Sequence, residues 1–164
     1  MNNLIHQIKK QIDYFFVQDK SSKELLNLNH INNVSITGDT RIDRVKEISK
    51  QEKKFDSIEK FINNDICFIA GSSWEADNDI FLNSILESGN LKTIIAPHNV
   101  IASDIENLEK KTQSLSVRYS RIDQDLDSSK KILIIDSIGS LKHLYKFADI
   151  AYIGGGMGDS GLHN

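Results

Sequence analysis

The sequence predicts an α/β chain organised on a doubly wound, mainly parallel sheet, and three observations carry that expectation. Continuous apolar runs such as Ile66-Cys67-Phe68-Ile69-Ala70 and Lys131-Ile132-Leu133-Ile134-Ile135 have the pattern of central strands covered on both faces. Four strand-loop-helix units follow one another, three of them with glycine or small residues just past the strand. Nearer the N-terminus, Asp13–Val17 and Val34–Thr37 flank one helical stretch, a β-α-β unit whose short crossover requires parallel pairing.

The bulk numbers set limits on function. A chain of 164 residues, 39% hydrophobic and 26% charged, is that of an ordinary globular protein with room for one good core, or for one domain and a piece of another. Lys and Arg number 20 against 23 Asp and Glu, a formal charge of −3 with no dense basic stripe, so no nucleic-acid partner is called for. The densest cationic patch, Lys50 to Lys54, also holds Glu52 and reads as a solvated helix face. The single cysteine, Cys67, excludes an internal disulfide and a multi-cysteine zinc site. It falls inside an apolar strand pattern and is expected to be buried and inert. No apolar run approaches the roughly twenty residues of a membrane span, and no signal-peptide pattern opens the chain.

Taken in order, Leu4, Ile5, Ile8 and Ile12 mark a short amphipathic helix, and the aromatic and β-branched run 13–17 a buried strand. Ser21 and Ser22 are the expected N-caps of a helix carrying Glu24, Leu25, Leu26 and Leu28. In the charged stretch after Gly38, Arg41 and Arg44 share a helix face. They could meet a phosphate or pair with Asp39 and Asp43. A linker helix is expected from Val45 to Asn63, with Val45, Ile48, Phe55, Ile58, Phe61 and Ile62 apolar and a domain boundary in or near it. Beyond strand 66–70 come a loop at Gly71–Glu75 and a helix from about Asp77 to Glu87 with Ile80, Phe81, Ile85 and Leu86 inward. Strand 92–96 closes at Pro97, the chain's one proline. Helix 101–111, a short strand 116–119, a polar loop 123–129, strand 131–135, loop 136–140, helix 141–147 and strand 150–153 complete the series.

Ligands of such sheets sit beyond the carboxyl ends of the strands, so the loops Gly71–Glu75, Pro97–Asn99, Asp136–Ser140 and Gly154–Asn164 should converge on one crevice. Five of the nine glycines lie between Gly154 and Gly161, directly after an apolar strand, where backbone N–H groups can approach a ligand closely. If Leu162-His163-Asn164 opens a helix, its free amides face the same spot and favour an anion. A helix cannot end where it begins, so a C-terminal truncation is expected. No GxGxxG follows the first strand and no GxxxxGK[ST] occurs anywhere; Gly154-x-Gly156 follows the last strand, which argues against a dinucleotide oxidoreductase. His98 could donate to a phosphate or carboxylate or cap the next helix, while His143, beside Leu141 and Leu144, reads as a surface or packing residue. His163 is better placed for a ligand. No histidine pair stands at metal-ligand spacing with a carboxylate, which argues against a metal site. Trp74 could stack on a base or pack under its own loop. Ser72 and Ser73 read as helix caps, phosphate-facing hydroxyls, or both. G-x-S-x-G is absent, so no nucleophile elbow can be assembled.

Five stretches together resemble one family: GDTRIDRV at Gly38–Val45, FIAGSSWEAD at Phe68–Asp77, IIAPHN at Ile94–Asn99, IIDSIGSLKHLYKFADIAYIGGG at Ile134–Gly156 and GLHN at Gly161–Asn164. In order and spacing they are similar to the 3-deoxy-D-manno-octulosonic acid (Kdo) transferases of lipopolysaccharide assembly. The resemblance implies a two-domain GT-B glycosyltransferase with a Rossmann-like C-terminal domain, CMP-Kdo as donor substrate, a lipid A precursor as acceptor and no cofactor. On it, residues 1–37 are the last β-α-β part of the N-terminal domain, 38–63 the crossover and linker helix, and 64–164 an incomplete CMP-Kdo-binding domain. Carried over by position, Pro97 and His98 lie at the nucleotide, Ile138, Gly139 and Ser140 form a second contact loop, and Asn164 opens a third. Ser72, Ser73, Gly155, Gly156 and His163 are further loop contacts. Many members have arginine where His98 stands and glutamate where Ser140 stands, so here a fixed charge gives way to a titratable one. The family's catalytic base is a glutamate in the N-terminal domain and has no counterpart in these residues. The chain alone is therefore expected to be soluble and inactive, with the parent enzyme held at the cytoplasmic face of the bacterial inner membrane through its N-terminal part. The rivals are another GT-B enzyme, a UDP-sugar transferase or nucleotide-sugar epimerase, and a non-catalytic nucleotide-binding or protein-interaction α/β module.

Overall fold

In the computed structural model, which describes residues 11–49 and 54–157, the chain divides into two units, Met1–Gln51 and Glu52–Asn164. The division falls inside the stretch that the sequence assigns to crossover and linker. The opening helix and most of the Lys50–Lys54 patch lie outside the described residues.

The first unit is the expected β-α-β, with a different cap. β1 (Phe15–Val17) and β2 (Val34–Ile36) pair in parallel, Phe15 against Val34 and Val17 against Ile36. Between them α1 (Lys20–Leu28) starts because Asp19, in extended backbone, accepts the Ser22 N–H at 2.7 Å and the Ser21 hydroxyl at 2.8 Å. The serines expected to cap the helix are thus donors to the aspartate that does. α2 (Thr40–Ser49) begins five residues before Val45, where the helix was expected, since the Asp39 side chain takes the Arg41 N–H at 2.9 Å. The same carboxylate grips the Arg41 guanidinium, Nη2 to Oδ2 at 2.7 Å, so the ion-pair alternative is the one realised for Arg41.

In the second unit the long linker helix is broken. α3 (Asp56–Ile62) is a separate helix, with Phe55 as its buried N-cap residue, and the Asn63-Asn64 break is confirmed by left-handed backbone at both (φ 49° and 63°). Five parallel strands follow in the spatial order β5-β6-β4-β3-β7: β3 (Ile66–Ser73), β4 (Leu91–Pro97), β5 (Ser116–Arg118), β6 (Ile132–Ile134) and β7 (Ile150–Ile153). The connecting helices are α4 (Glu75–Glu87), α5 (Ala102–Thr112), α6 (Ile122–Asp125) and α7 (Leu141–Leu144). The supposed polar loop after residue 122 therefore opens with one helical turn, anchored by buried Ile122.

The continuous apolar runs are explained by two-sided burial. Ile69, Ile94, Leu133 and Val117 stand abreast across β3, β4, β6 and β5, packed with Phe55, Ile58 and Phe61 beneath one face. One residue on, Ala70, Ile95 and Ile134 face the other way, against Phe81, Leu82 and Ile85 of α4 and Ile105 and Leu108 of α5. Alternate residues of a strand point to opposite faces, so a strand clad on both sides is apolar at nearly every position, with Thr93 of β4 a buried exception. In α4 the inward set is Phe81, Leu82 and Ile85; Ile80, expected to face inward, is 54% exposed, and Leu86 only fringes the core. Cys67 is fully buried, and burial, with the charge of Asp149 next, pushes its thiol up to about 12.

Ile94 has neighbours on both adjoining strands and no solvent exposure, so truncating it leaves a cavity that the rigid sheet cannot close. Ile94→Ala is expected to cost about 2–5 kcal/mol, read as a fall in the urea midpoint at unchanged slope.

Candidate functional site

The sheet order locates the site before any side chain does. From β3 the chain proceeds to β4 and on to the β5 and β6 side, then returns across the sheet to place β7 on the opposite flank of β3. The winding reverses at β3, and the carboxyl edge at such a reversal is where open α/β sheets bind their ligands. Because the strands are parallel, the turns after β6, β4, β3 and β7 leave from that one edge, side by side in that order.

At the end of β3 the expected loop at Gly71–Glu75 is mostly strand. Gly71 is in register with Ala96 on one side and Ile153 on the other, Ser72 forms an irregularity with φ 52°, and Ser73 pairs with Pro97. The backbone N–H of His98 donates to the Ser73 carbonyl at 2.9 Å, tying the two strand ends together. Above that bond the Trp74 indole stacks on the His98 imidazole, ring centres 4.3 Å apart and planes 20° apart. Trp74 thus packs on a ring of the neighbouring turn after β4, a partner that neither of its two readings named. His98 does not cap α5, whose N-cap is Ile101.

The turn after β3 and the glycine loop after β7 are held by one carboxylate. Asp77 is 1% exposed; its Oδ2 accepts the Trp74 N–H at 2.8 Å and the Gly155 N–H at 3.0 Å, and its Oδ1 accepts the Tyr152 hydroxyl at 2.7 Å. Burial alone would raise this carboxyl's pKa, but the three donors outweigh it and hold the group below its ordinary value. Tyr152 moves the other way, up to about 12, through burial first and then its bond to Asp77. Gly154 donates to the Gly71 carbonyl at 2.9 Å, and a Cβ there would lie 2.5 Å from the Ser72 carbonyl oxygen and 2.8 Å from Asp77 Oδ2. No other residue fits that position. The amides of Gly154 and Gly155 are therefore turned inward, and the outward part of the loop begins at Gly156, which is exposed.

The loop after β6 presents Ile138 at 87% exposure and Gly139 with φ 90°, followed by half-buried Ser140, whose carbonyl accepts the His143 N–H at 2.9 Å. His143 rests 6.2 Å from the Phe55 ring, a packing position as expected. His163 and Asn164 lie outside the described residues. Ser72, Ser73, Pro97, His98 and Gly155 are brought together by the bonds above; Ile138–Ser140 shares their edge one strand further along. Asp77 and Tyr152 went unforeseen, although an acid at the third position of a helix that follows a strand is a legible capping signal. Among the described residues no group of three His, Cys, Asp or Glu side chains could hold a metal ion.

A carboxyl with a lowered folded pKa stabilises above its unfolded value and loses that contribution as pH falls through the folded one. Asp77→Asn is expected to lower stability by about 1.5–3 kcal/mol at neutral pH. It should also flatten the acid limb of the thermal midpoint against pH below the ordinary 3.8, where Asp77 would otherwise take up its proton.

Comparison with known proteins points the same way as the geometry. No family model matches the chain. Along 98% of its length it is 29% identical, over 171 residues, to a bifunctional glycosyltransferase/methyltransferase of Fusobacterium nucleatum, of which it spans 26%. In structure it is similar to the C-terminal CMP-Kdo binding domain of WaaA from Acinetobacter baumannii, with a TM-score of 0.50 and 17% identity, covering 75% of this chain and 64% of that one. In fold, then, the chain carries a Rossmann-like parallel sheet of the kind found in that CMP-Kdo binding domain.

Proposed function

We propose that this chain is the donor-binding part of a glycosyltransferase that moves Kdo from CMP-Kdo to a lipid A precursor. The observation that carries the reading is the gathering of Pro97, His98, Gly139 and Gly155 along the carboxyl edge of one parallel sheet, next to the strand where its winding reverses. Sequence kinship with a glycosyltransferase and a fold shared with a CMP-Kdo binding domain support it.

When the glycosidic phosphate bond breaks, CMP departs with negative charge developing on its phosphate, and a base takes the proton of the acceptor hydroxyl. His98, held at the mouth of β4 by its stack on Trp74, is assigned to the nucleotide phosphate, and exposed Gly139, with no side chain, to close backbone approach by the cytidine. The glycine loop contributes from Gly156 onward, with His163 and Asn164 assigned to the same anion. In this scheme residues 1–37 belong to the N-terminal domain, 38–63 to the crossover and linker, and 64–164 to the donor domain. No cofactor or metal is assigned a role. The base is assigned to the N-terminal domain, and the lipid acceptor puts the whole enzyme at the cytoplasmic face of the inner membrane; among the described residues no helix is long and apolar enough to cross a membrane.

Calorimetric titration with CMP and UDP tests this reading. CMP should bind in preference to UDP, His98→Ala should weaken it about tenfold through loss of one charge-assisted hydrogen bond, and His98→Arg should restore or exceed the original affinity. Preference for UDP would transfer the assignment to a UDP-sugar enzyme of the same fold.

A further inference from the structure

The turns after β3, β4 and β7 are joined by one chain of contacts that runs through Asp77. Its Oδ1 accepts the Tyr152 hydroxyl of β7, and its Oδ2 accepts the Gly155 amide of the glycine loop and the Trp74 amide after β3. Trp74 is the N-cap residue of α4, in extended backbone with φ −100° and ψ 172°, and its carbonyl accepts the Asn78 N–H at 3.0 Å. With amide and carbonyl both engaged, the backbone of Trp74 is held, and a held backbone narrows the rotamers open to its side chain. The indole then meets the His98 imidazole face to face.

His98 is the side chain that this placement serves. It is exposed, in the turn after β4, where a ring keeps one orientation only if packing holds it. Stacking at 4.3 Å between ring centres supplies such packing. The backbones of the two turns are already tied by the His98 N–H on the Ser73 carbonyl, so a displaced indole changes the ring contact and not the spacing of the strands. Burial separates Asp77 from an ordinary capping acid. At 1% exposure it draws donors from β7, from the loop beyond it and from the turn after β3, and a buried charge satisfied in that way fixes its donors relative to one another.

We propose that Asp77, backed by Tyr152, is a positioning residue for His98: it fixes the Trp74 backbone and, through the indole stack, holds the imidazole in the orientation that meets the donor phosphate. What His98 contacts rests on the donor reading, whereas its coupling to Asp77 stands on the contacts themselves.

Two readouts separate this role from a merely structural one. In the 164-residue chain without ligand, the His98 ring-proton resonances, assigned by their loss in His98→Ala, should lie upfield through the Trp74 ring current. Asp77→Ala should move them toward the positions of an unstacked histidine. Tyr152→Phe, which keeps the ring and removes one donor, should move them the same way by less. In calorimetry at a temperature where every variant is folded, Asp77→Ala should weaken CMP binding about three- to fivefold in the parent chain and leave it unchanged in the His98→Ala background, because coupled residues depart from additivity. Equal weakening in both backgrounds overturns the proposal, as do His98 resonances that stay in place in the Asp77 variant. Should Asp77→Ala fail to fold, Tyr152→Phe takes both tests in its stead, and an unmoved His98 signal there overturns the proposal. If the chain does not bind CMP, the donor reading falls and the ligand-free resonances alone decide the coupling.

Discussion

The Asp77 carboxylate is the interaction on which the candidate site depends. It sits in the first turn of α4, yet two of its three donors, the Tyr152 hydroxyl and the Gly155 amide, come from β7 and the loop beyond it. A buried charge is costly unless nearly every lone pair is engaged, and here the engagement joins strands that are neighbours in the sheet but distant in sequence. The requirement acts on backbone as well as side chain. Gly154 must be glycine because the carboxylate and the end of β3 occupy the space a Cβ would need.

That arrangement changes how the glycine loop can serve a ligand. A glycine-rich turn after a parallel strand suggests a row of free amides, but the first two are used to fasten the loop to Gly71 and Asp77. Placing a negative carboxylate directly under the turn also disfavours an anion at that point. The early glycines therefore shape the loop, and under the proposed function contact with an anionic donor falls to other residues, the mouth of β4 among them. The Trp74–His98 stack serves that mouth by limiting the imidazole's freedom, which reduces the entropy lost when a partner binds.

Much of the fold was legible because burial on both faces leaves an unmistakable mark: strands such as Thr93–Ala96 and Ile132–Ile135 have no alternation to confuse them with surface elements. Their common direction followed from the helices between them. What stayed hidden depended on distant partners. Gly71-Ser72-Ser73 has loop composition, and only pairing with β4 and β7 keeps it extended. The break before α3 carries no proline or glycine, so Phe55 was taken for a helical position when it is a buried cap residue. For the site, the turns singled out in the sequence do leave from one edge of the sheet, while the fastening by Asp77 went unforeseen.

The state of Cys67 has a practical consequence for placing a probe on the glycine loop. With its thiol at about 12, only about one molecule in ten thousand carries the reactive thiolate at pH 8, and the sulfur is closed off besides. Since it is the sole cysteine, a second one introduced at Met157 could be labelled with a maleimide dye or spin probe without first removing the native thiol. The protein is in effect already cysteine-free for site-directed spectroscopy.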